Sequence, residues 1–446
     1  MTAMNSFITF VNHASVIFSH KNIRLMTDPW IFGNAFNNGW SLLSESKFTI
    51  EDFDKITHIW FSHEHPDHFH PLVLKTIPEN FRKKITVLFQ YTLDHRVAKK
   101  CKELKFKQII EMNPDEFVKL DNEFEIKCVP NGTYDSWFYA KINGKKILNI
   151  NDCMVDSVSQ AKIIKNIVDS VDIMLTQFGY ASWVGDPDDV ELRKNASVEK
   201  LQRIQIQTKI FQPKFIIPFA SFVRFSHIDN SYMNDQMNKI QNVESFILDN
   251  TDSIPIILYP GDNWSGDKKI DNSIAIKNYE MDLQKKIELH TDSNIVEYDK
   301  LKNLAFSYIN NIKKRNNWAS VRFLHTIKFF RTTNIFLKDL NCSFSFNLID
   351  GLLKSETNKS DADIITDSDS LAFVFSWDYG MDTLFVNARF RTSGGKVMNF
   401  FRLFLIGTLN NNGRTFPLGI LGFLFNEKSM WKTKFLEIIL GKYALK

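Results

Sequence analysis

The stretch Phe61-Ser62-His63-Glu64-His65-Pro66-Asp67-His68 constrains this chain more than any other. Three histidines and Asp67 fall within six residues, directly after the apolar run at residues 56–61 (ITHIWF). A short apolar run of this kind reads as a buried strand. A loop leaving a strand end can turn alternate side chains toward one point. Imidazole and carboxylate are good ligands for divalent transition metals. Four such groups buried together without an ion would leave costly unpaired polar atoms. A solvated turn is the competing reading, but only 11 histidines occur in 446 residues, so chance clustering is uncommon. The pattern predicts a metal site.

The surrounding chain reads as alternating strands and helices. Apolar runs at 7–11, 14–19, 23–27, 56–61, 85–90 and 124–129 read as strands. So do 137–142 and 146–150, which flank Asn143-Gly144, a strong hairpin signal. Further strands are expected at 171–176, 215–219 and 254–259, and helices at 72–82, 93–104, 161–170, 198–211 and 233–242. This alternation marks an α/β fold. The pattern changes near residue 265: 266–342 looks mainly helical, and 343–400 looks strand-rich through SFSFNLID, SLAFVFSW and DTLFVNARF. Two domains are therefore expected, 1–265 carrying the metal site and 266–446 a smaller α+β region without a catalytic motif. Within the second, the apolar runs 400–407 and 416–425 read as a buried hairpin, with a partner or membrane surface as the alternative.

The spacing His63-x-His65-x-Asp67-His68 after an apolar strand resembles the signature of the metallo-β-lactamase superfamily. The resemblance implies an αββα sandwich with a dinuclear site at one edge. It implies that His63 and His65 serve one metal while Asp67 and His68 serve the other. Asp152, in Ile147-Leu148-Asn149-Ile150-Asn151-Asp152-Cys153, is similar to the family's bridging aspartate, and His227 to its last histidine ligand. The family also supplies a histidine just before the hairpin that leads to Asp152. Here that stretch is Val129-Pro130-Asn131-Gly132-Thr133-Tyr134-Asp135-Ser136-Trp137, with Thr133 at the expected position. Three readings stay open: His63, His65 and Asp152 hold the first metal alone; Tyr134 or Asn131 substitutes; or only the second site fills tightly. Residues 28–40 (DPWIFGNAFNNGW), 147–153 and 218–227 are more closely similar to the CMP-N-acetylneuraminate hydroxylase family, a similarity that covers most of 10–260. Those hydroxylases also carry an N-terminal Rieske iron–sulfur domain, whose Cys and His pairs do not occur in this sequence. The resemblance is to their metallo-β-lactamase portion.

The superfamily resemblance implies a hydrolase that uses a metal-bound hydroxide on an ester, lactone, amide or phosphodiester, with Asp67 and Asp152 in catalytic roles. The hydroxylase resemblance implies instead a dinuclear-iron oxygenase served by a separate electron-transfer protein. A metal-binding scaffold without activity is the third class. The expected cofactor is one or two divalent transition-metal ions, zinc or iron. The expected partner is a small molecule, anionic or sugar-derived, and a homo-oligomer stays open. A net charge of +4 with no dense Lys/Arg block does not fit nucleic-acid tracking. No run of about 18 apolar residues signals a transmembrane helix. Four scattered cysteines without Cys-x-x-Cys spacing, and an N-terminus without a signal-peptide pattern, fit a reducing cytoplasm. His13 resembles a histidine that several members of the superfamily place near the site, with a structural role as the alternative, and Asp28 is a candidate to orient a ligand imidazole, with a turn former as the alternative. Arg224 and Tyr180 are candidate substrate contacts, and Glu64 and His70 read as surface residues.

Overall fold

The computed structural model describes residues 7–132, 135–291, 294–392, 397–411 and 413–419. Ile59 and Trp60 show how the core is divided. Neighbours on a strand point to opposite faces. Ile59 joins Phe53, Val73 and Leu74 under the outer helices, while Trp60 enters the core between two sheets. That double demand for apolar side chains is why Ile59, Trp60 and Phe61 are apolar in succession before the histidine cluster.

The first sheet has seven strands. Ile8–Asn12, Ser15–His20 and Ile23–Thr27 form an antiparallel meander, and His58–Trp60, Thr86–Gln90 and Gln108–Met112 follow in parallel. Asn263–Trp264 returns to pair with Ile8–Asn12 at the far edge. The second sheet also has seven strands, in the order Ile254–Pro255, Phe215–Phe219, Ile173–Gln177, Lys145–Asn151, Asp135–Ile142, Phe124–Asn131 and Val118–Asp121. Its centre is the hairpin at Asn143-Gly144, where both turn residues take positive φ. The sheets meet through Trp60, Phe18 and Phe138, with ring centroids 4.8 Å (Trp60–Phe138) and 5.7 Å (Phe18–Phe138) apart. Helices Val158–Lys165, Val190–Phe211 and Ile240–Asn250 cover the second sheet through Ala161, Ile204 and Val243. The result is the αββα sandwich. Helix Ser273–Gln284 also belongs to it, because Tyr279 stacks on Phe222 at 4.2 Å, so this core runs past residue 265.

A second core begins at Val296. It joins helices Tyr298–Arg315, Ser368–Ser376 and Val397–Asn411 to a five-stranded sheet ordered Gly351–Ser355, Cys342–Asn347, Thr333–Leu337, Ile364–Thr366 and Arg391–Thr392. This is the smaller α+β region. No helix among the described residues is long and apolar enough to cross a membrane.

Several expected elements differ, each for a local reason. SLAFVFSW and DTLFVNARF, expected as strands, lie in helices Ser368–Ser376 and Gly380–Asn387. Asp367 caps the first by accepting from the Ser370 amide at 2.7 Å, and Leu371, Val374 and Phe375 then bury one helical face. Short apolar runs do not separate strand from buried helix by periodicity alone. Residues 400–407 are helical, within Val397–Asn411, and not half of a hairpin; 420–425 lie outside the described residues. The helix expected at 72–82 is two, Pro71–Thr76 and Glu79–Arg82, divided at Pro78, which lacks the amide a continuous helix needs. The helix expected at 233–242 is a short 3-10 turn, Ser231–Asn234, followed by Ile240–Asn250. The strand expected at 254–259 pairs only over Ile254–Pro255.

Trp60 is fully buried, and its indole N–H points at the Cys128 sulfur 3.3 Å away. Trp60→Ala is expected to cost about 3–5 kcal/mol through lost transfer energy and a residual cavity. Urea denaturation followed by circular dichroism checks this as a lowered midpoint.

Candidate metal centre

The site forms where strand ends of both sheets meet. His63 follows His58–Trp60 in the first sheet, and Asp152 follows Lys145–Asn151 in the second. His13 sits in the turn between the first two strands. Three non-glycine residues here, His13, Asp28 and Asn151, take positive φ (41°, 36° and 56°). Such backbone persists only where the surroundings over-determine it. At His13 the Asn12 side chain accepts from the His13 amide at 2.9 Å.

Five of the six sequence-predicted ligands come together. His63 Nε2 lies 2.9 Å from His65 Nδ1 and 3.7 Å from Asp152 Oδ2. His68 Nε2 lies 3.1 Å from Asp67 Oδ2 and 3.5 Å from Asp152 Oδ2. Two donors about 2.1 Å from one ion can be at most about 4.2 Å apart, so these separations suit shared ions. Asp152 Oδ2 faces both His63 and His68, and the three form one cluster. His13 Nε2 lies 3.3 Å from Asp67 Oδ2 and joins Asp67 and His68 in one cluster. His227 is not in these clusters. Its Nδ1 is 3.2 Å from the Asp229 carboxylate, and its Nε2 is buried with no hydrogen-bond partner among the described residues. Thr133 and Tyr134 lie outside the described residues; Asn131 is buried opposite Asp135 at the end of its strand.

Asp28 anchors the cluster from below. It is fully buried and accepts from the Ser62 amide (2.8 Å), the Ser62 hydroxyl (2.8 Å) and the Asn151 amide group (2.7 Å). Its carboxylate lies 2.9 Å from His68 Nδ1, which turns Nε2 of that ring toward Asp67 and Asp152.

Electrostatics prepare most of these groups as ligands. Burial pushes the His63 and His13 imidazoles down, and the His65 imidazole down to about 4. Neutral imidazole is the form that binds metal. Burial also works against charge on Asp67, but His68 and His13 outweigh it and hold that carboxyl well below its ordinary range. For His68 burial is again opposed, here by Asp67, Asp152 and Asp28, which hold the imidazole well above its ordinary value. The donor set fits a divalent cation on its own chemistry. Asp67 Oδ1 and Asp152 Oδ1 are buried without hydrogen-bond partners among the described residues, and a cation would satisfy both.

Other sequence readings change. Glu64 is part-buried and receives the Tyr379 hydroxyl from the C-terminal region. His70 is buried, stacks on Trp30 at 5.8 Å and caps a helix through the Val73 amide. Arg224 and Tyr180 are buried and donate to backbone oxygens, Arg224 to Lys285 and Asp282 and Tyr180 to Met233, so neither is a candidate substrate contact. The C-terminal region also grips the loop at 36–39: Asn387 donates to the Phe36 oxygen at 3.1 Å and Arg389 to the Asn37 oxygen at 2.9 Å. A Cβ on Gly39 would fall 2.4 Å from that of Asn387.

Residues 7–172 match the family model of the beta-lactamase superfamily domain. This part of the chain is similar to the metallo-β-lactamase superfamily. Among curated proteins, cytidine monophosphate-N-acetylneuraminic acid hydroxylase of Mus musculus is 25% identical over 275 residues, covering 57% of this chain and 46% of that protein. The chain spans about half the length of the curated relatives it matches. Among solved structures, CmlA, a diiron beta-hydroxylase from Streptomyces venezuelae, is similar at 15% identity and a TM-score of 0.41, over 58% of this chain and 54% of that one. Isothiocyanate hydrolase from Delia radicum gut bacteria is similar at 11% identity and a TM-score of 0.43, over 58% and 98%.

Asp28→Ala removes the group that orients His68. Metal affinity is expected to fall about 10- to 100-fold, the usual cost of losing an outer partner of a ligand imidazole. Competition with a chromophoric chelator measures it, and an unchanged affinity would show that Asp28 has no such role.

Proposed function

We propose that this chain is a metal-dependent hydrolase of a small molecule, with a two-centre site held by His63, His65, Asp67, His68, Asp152 and His227. The observation that carries the reading is the position of Asp152 Oδ2, 3.7 Å from His63 Nε2 and 3.5 Å from His68 Nε2. One carboxylate facing two imidazole groups is the arrangement expected of a bridge between two ions. Ions bound there, zinc or iron, lower the pKa of water and polarise a substrate oxygen. The protein's own part is to orient and to exclude. Asp28 fixes the His68 ring, and Asp152 reaches the site from the second sheet. Asp152 stays 19% exposed where His63 is fully buried, which leaves the carboxylate side open to a substrate. His227 joins the second centre in this reading, because its buried Nε2 has no other protein partner among the described residues. An ester, lactone, amide or phosphodiester, anionic or sugar-derived, is the proposed substrate class.

A second reading, a dinuclear-iron oxygenase supplied with electrons by a separate protein, is favoured by the 275-residue similarity to the hydroxylases. Metal analysis of freshly purified protein beside His68→Ala, followed by ester and phosphodiester assays with and without oxygen, separates the two. Hydrolysis that is restored by zinc and indifferent to oxygen is expected. Two irons per chain with oxygen-dependent turnover would replace the first reading by the second. No metal in either protein would overturn both.

A further inference from the structure

The first metal position lacks the histidine that the superfamily places before the Asp152 hairpin, and the structure puts another donor beside it. Asp135 opens the strand Asp135–Ile142 and pairs in register with Asn131 across the hairpin tip. Its Oδ1 lies 4.0 Å from His63 Nε2. That is inside the about 4.2 Å limit for two atoms sharing one ion. His65 Nδ1 at 2.9 Å and Asp152 Oδ2 at 3.7 Å surround the same His63 nitrogen. Three donors, from both sheets, therefore surround His63 Nε2, although Asp135 joins none of the groups whose donor atoms all lie within 4.8 Å of one another.

The start of the strand Asp135–Ile142 is fixed against the first sheet. Ser136, the next residue, is fully buried and donates to the Ser62 carbonyl at 2.6 Å, tying the strand to the residue before His63. Asp135 is 27% exposed, close to the 19% of Asp152, so both carboxylates stand at the open side of the cluster while the imidazoles lie behind. The buried Asp152 Oδ1, without a hydrogen-bond partner among the described residues, is a separate sign that a cation belongs here.

We propose that Asp135 is a ligand of the first metal, giving that centre two imidazoles and two carboxylates in place of a histidine-rich set. This rests on the metalloenzyme reading above. It also names a chemical preference. Carboxylate donors suit manganese and other hard cations, and imidazole suits zinc, copper, nickel and iron. Replacing a neutral imidazole by a carboxylate adds one negative charge to the centre. It should weaken the preference for zinc over manganese or ferrous iron, relative to a site with histidine at this position.

The test uses the full chain, stripped with chelator and titrated with zinc, manganese and cobalt against a competing chromophoric chelator. Asp135→Ala is expected to lose one of two bound ions or to bind it more than about 100-fold more weakly, a larger effect than the about 10- to 100-fold cost of losing an outer partner. Asp135→His is expected to restore binding and to raise the zinc-to-manganese affinity ratio at least about tenfold. The cobalt absorption band should shift in both variants, which a merely structural change away from the ion would not produce. Circular dichroism of each variant confirms that it is folded, and Asp135→Asn, nearly isosteric, takes the place of the alanine variant should that one unfold. Wild-type stoichiometry, affinity and cobalt spectrum in a folded variant would overturn the assignment of Asp135. No metal bound by the wild-type chain would instead overturn the metalloenzyme reading beneath it.

Discussion

The buried Asp28 carboxylate ties together the parts of this site that come from different places in the chain. It receives hydrogen bonds from the Ser62 amide and hydroxyl, at the exit of a first-sheet strand, and from Asn151, at the exit of a second-sheet strand. It also sets the His68 ring. A carboxylate loses its hydration when buried, and several donors must compensate that loss. The requirement to satisfy Asp28 therefore sets the spacing between two strand ends that carry metal donors. The left-handed backbone at Asp28 and Asn151 fits the same demand, because it aims both side chains into the space between the sheets.

Asp67 Oδ2 lies within 3.3 Å of His13 Nε2 and 3.1 Å of His68 Nε2, so this cluster draws on the opening hairpin as well as on the histidine loop. The C-terminal region meets the site from the other direction. Tyr379 donates to Glu64, between His63 and His65, and Asn387 and Arg389 hold the loop at 36–39. That loop packs Phe36 against His65 at 5.8 Å. The two cores thus share a boundary that includes the histidine loop. This gives the C-terminal region a physical role in shaping access to the clustered side chains, although among the described residues it contributes none of them.

Much of the sandwich was legible because its strands are short apolar runs that end in turn signals. The strand Phe215–Phe219 and the Asn143-Gly144 hairpin are the clearest cases. The C-terminal region was less legible. SLAFVFSW carries apolar residues at nearly every position, so both periodicities fit it, and the Asp367 cap together with packing against the five-stranded sheet selected the helix. Glu64 and His70 looked like surface residues because their partners, Tyr379 and Trp30, lie far away in sequence or depend on a folded loop.

Sequence alone determined that His63, His65, Asp67 and His68 would converge, since six consecutive residues at a strand exit cannot separate far. It also determined the alternation that builds two sheets with helices outside. Only the tertiary structure decided which distant residues join them. His13, Asp28, Asp135 and Asp152 reach the cluster through the register of strands and the stacking of one sheet on the other. Those relations depend on contacts such as Trp60 against Phe138, which no local spacing encodes. Tertiary structure likewise set the electrostatics of these groups, because burial pushes His63, His65 and His13 down while the neighbouring carboxylates push His68 up.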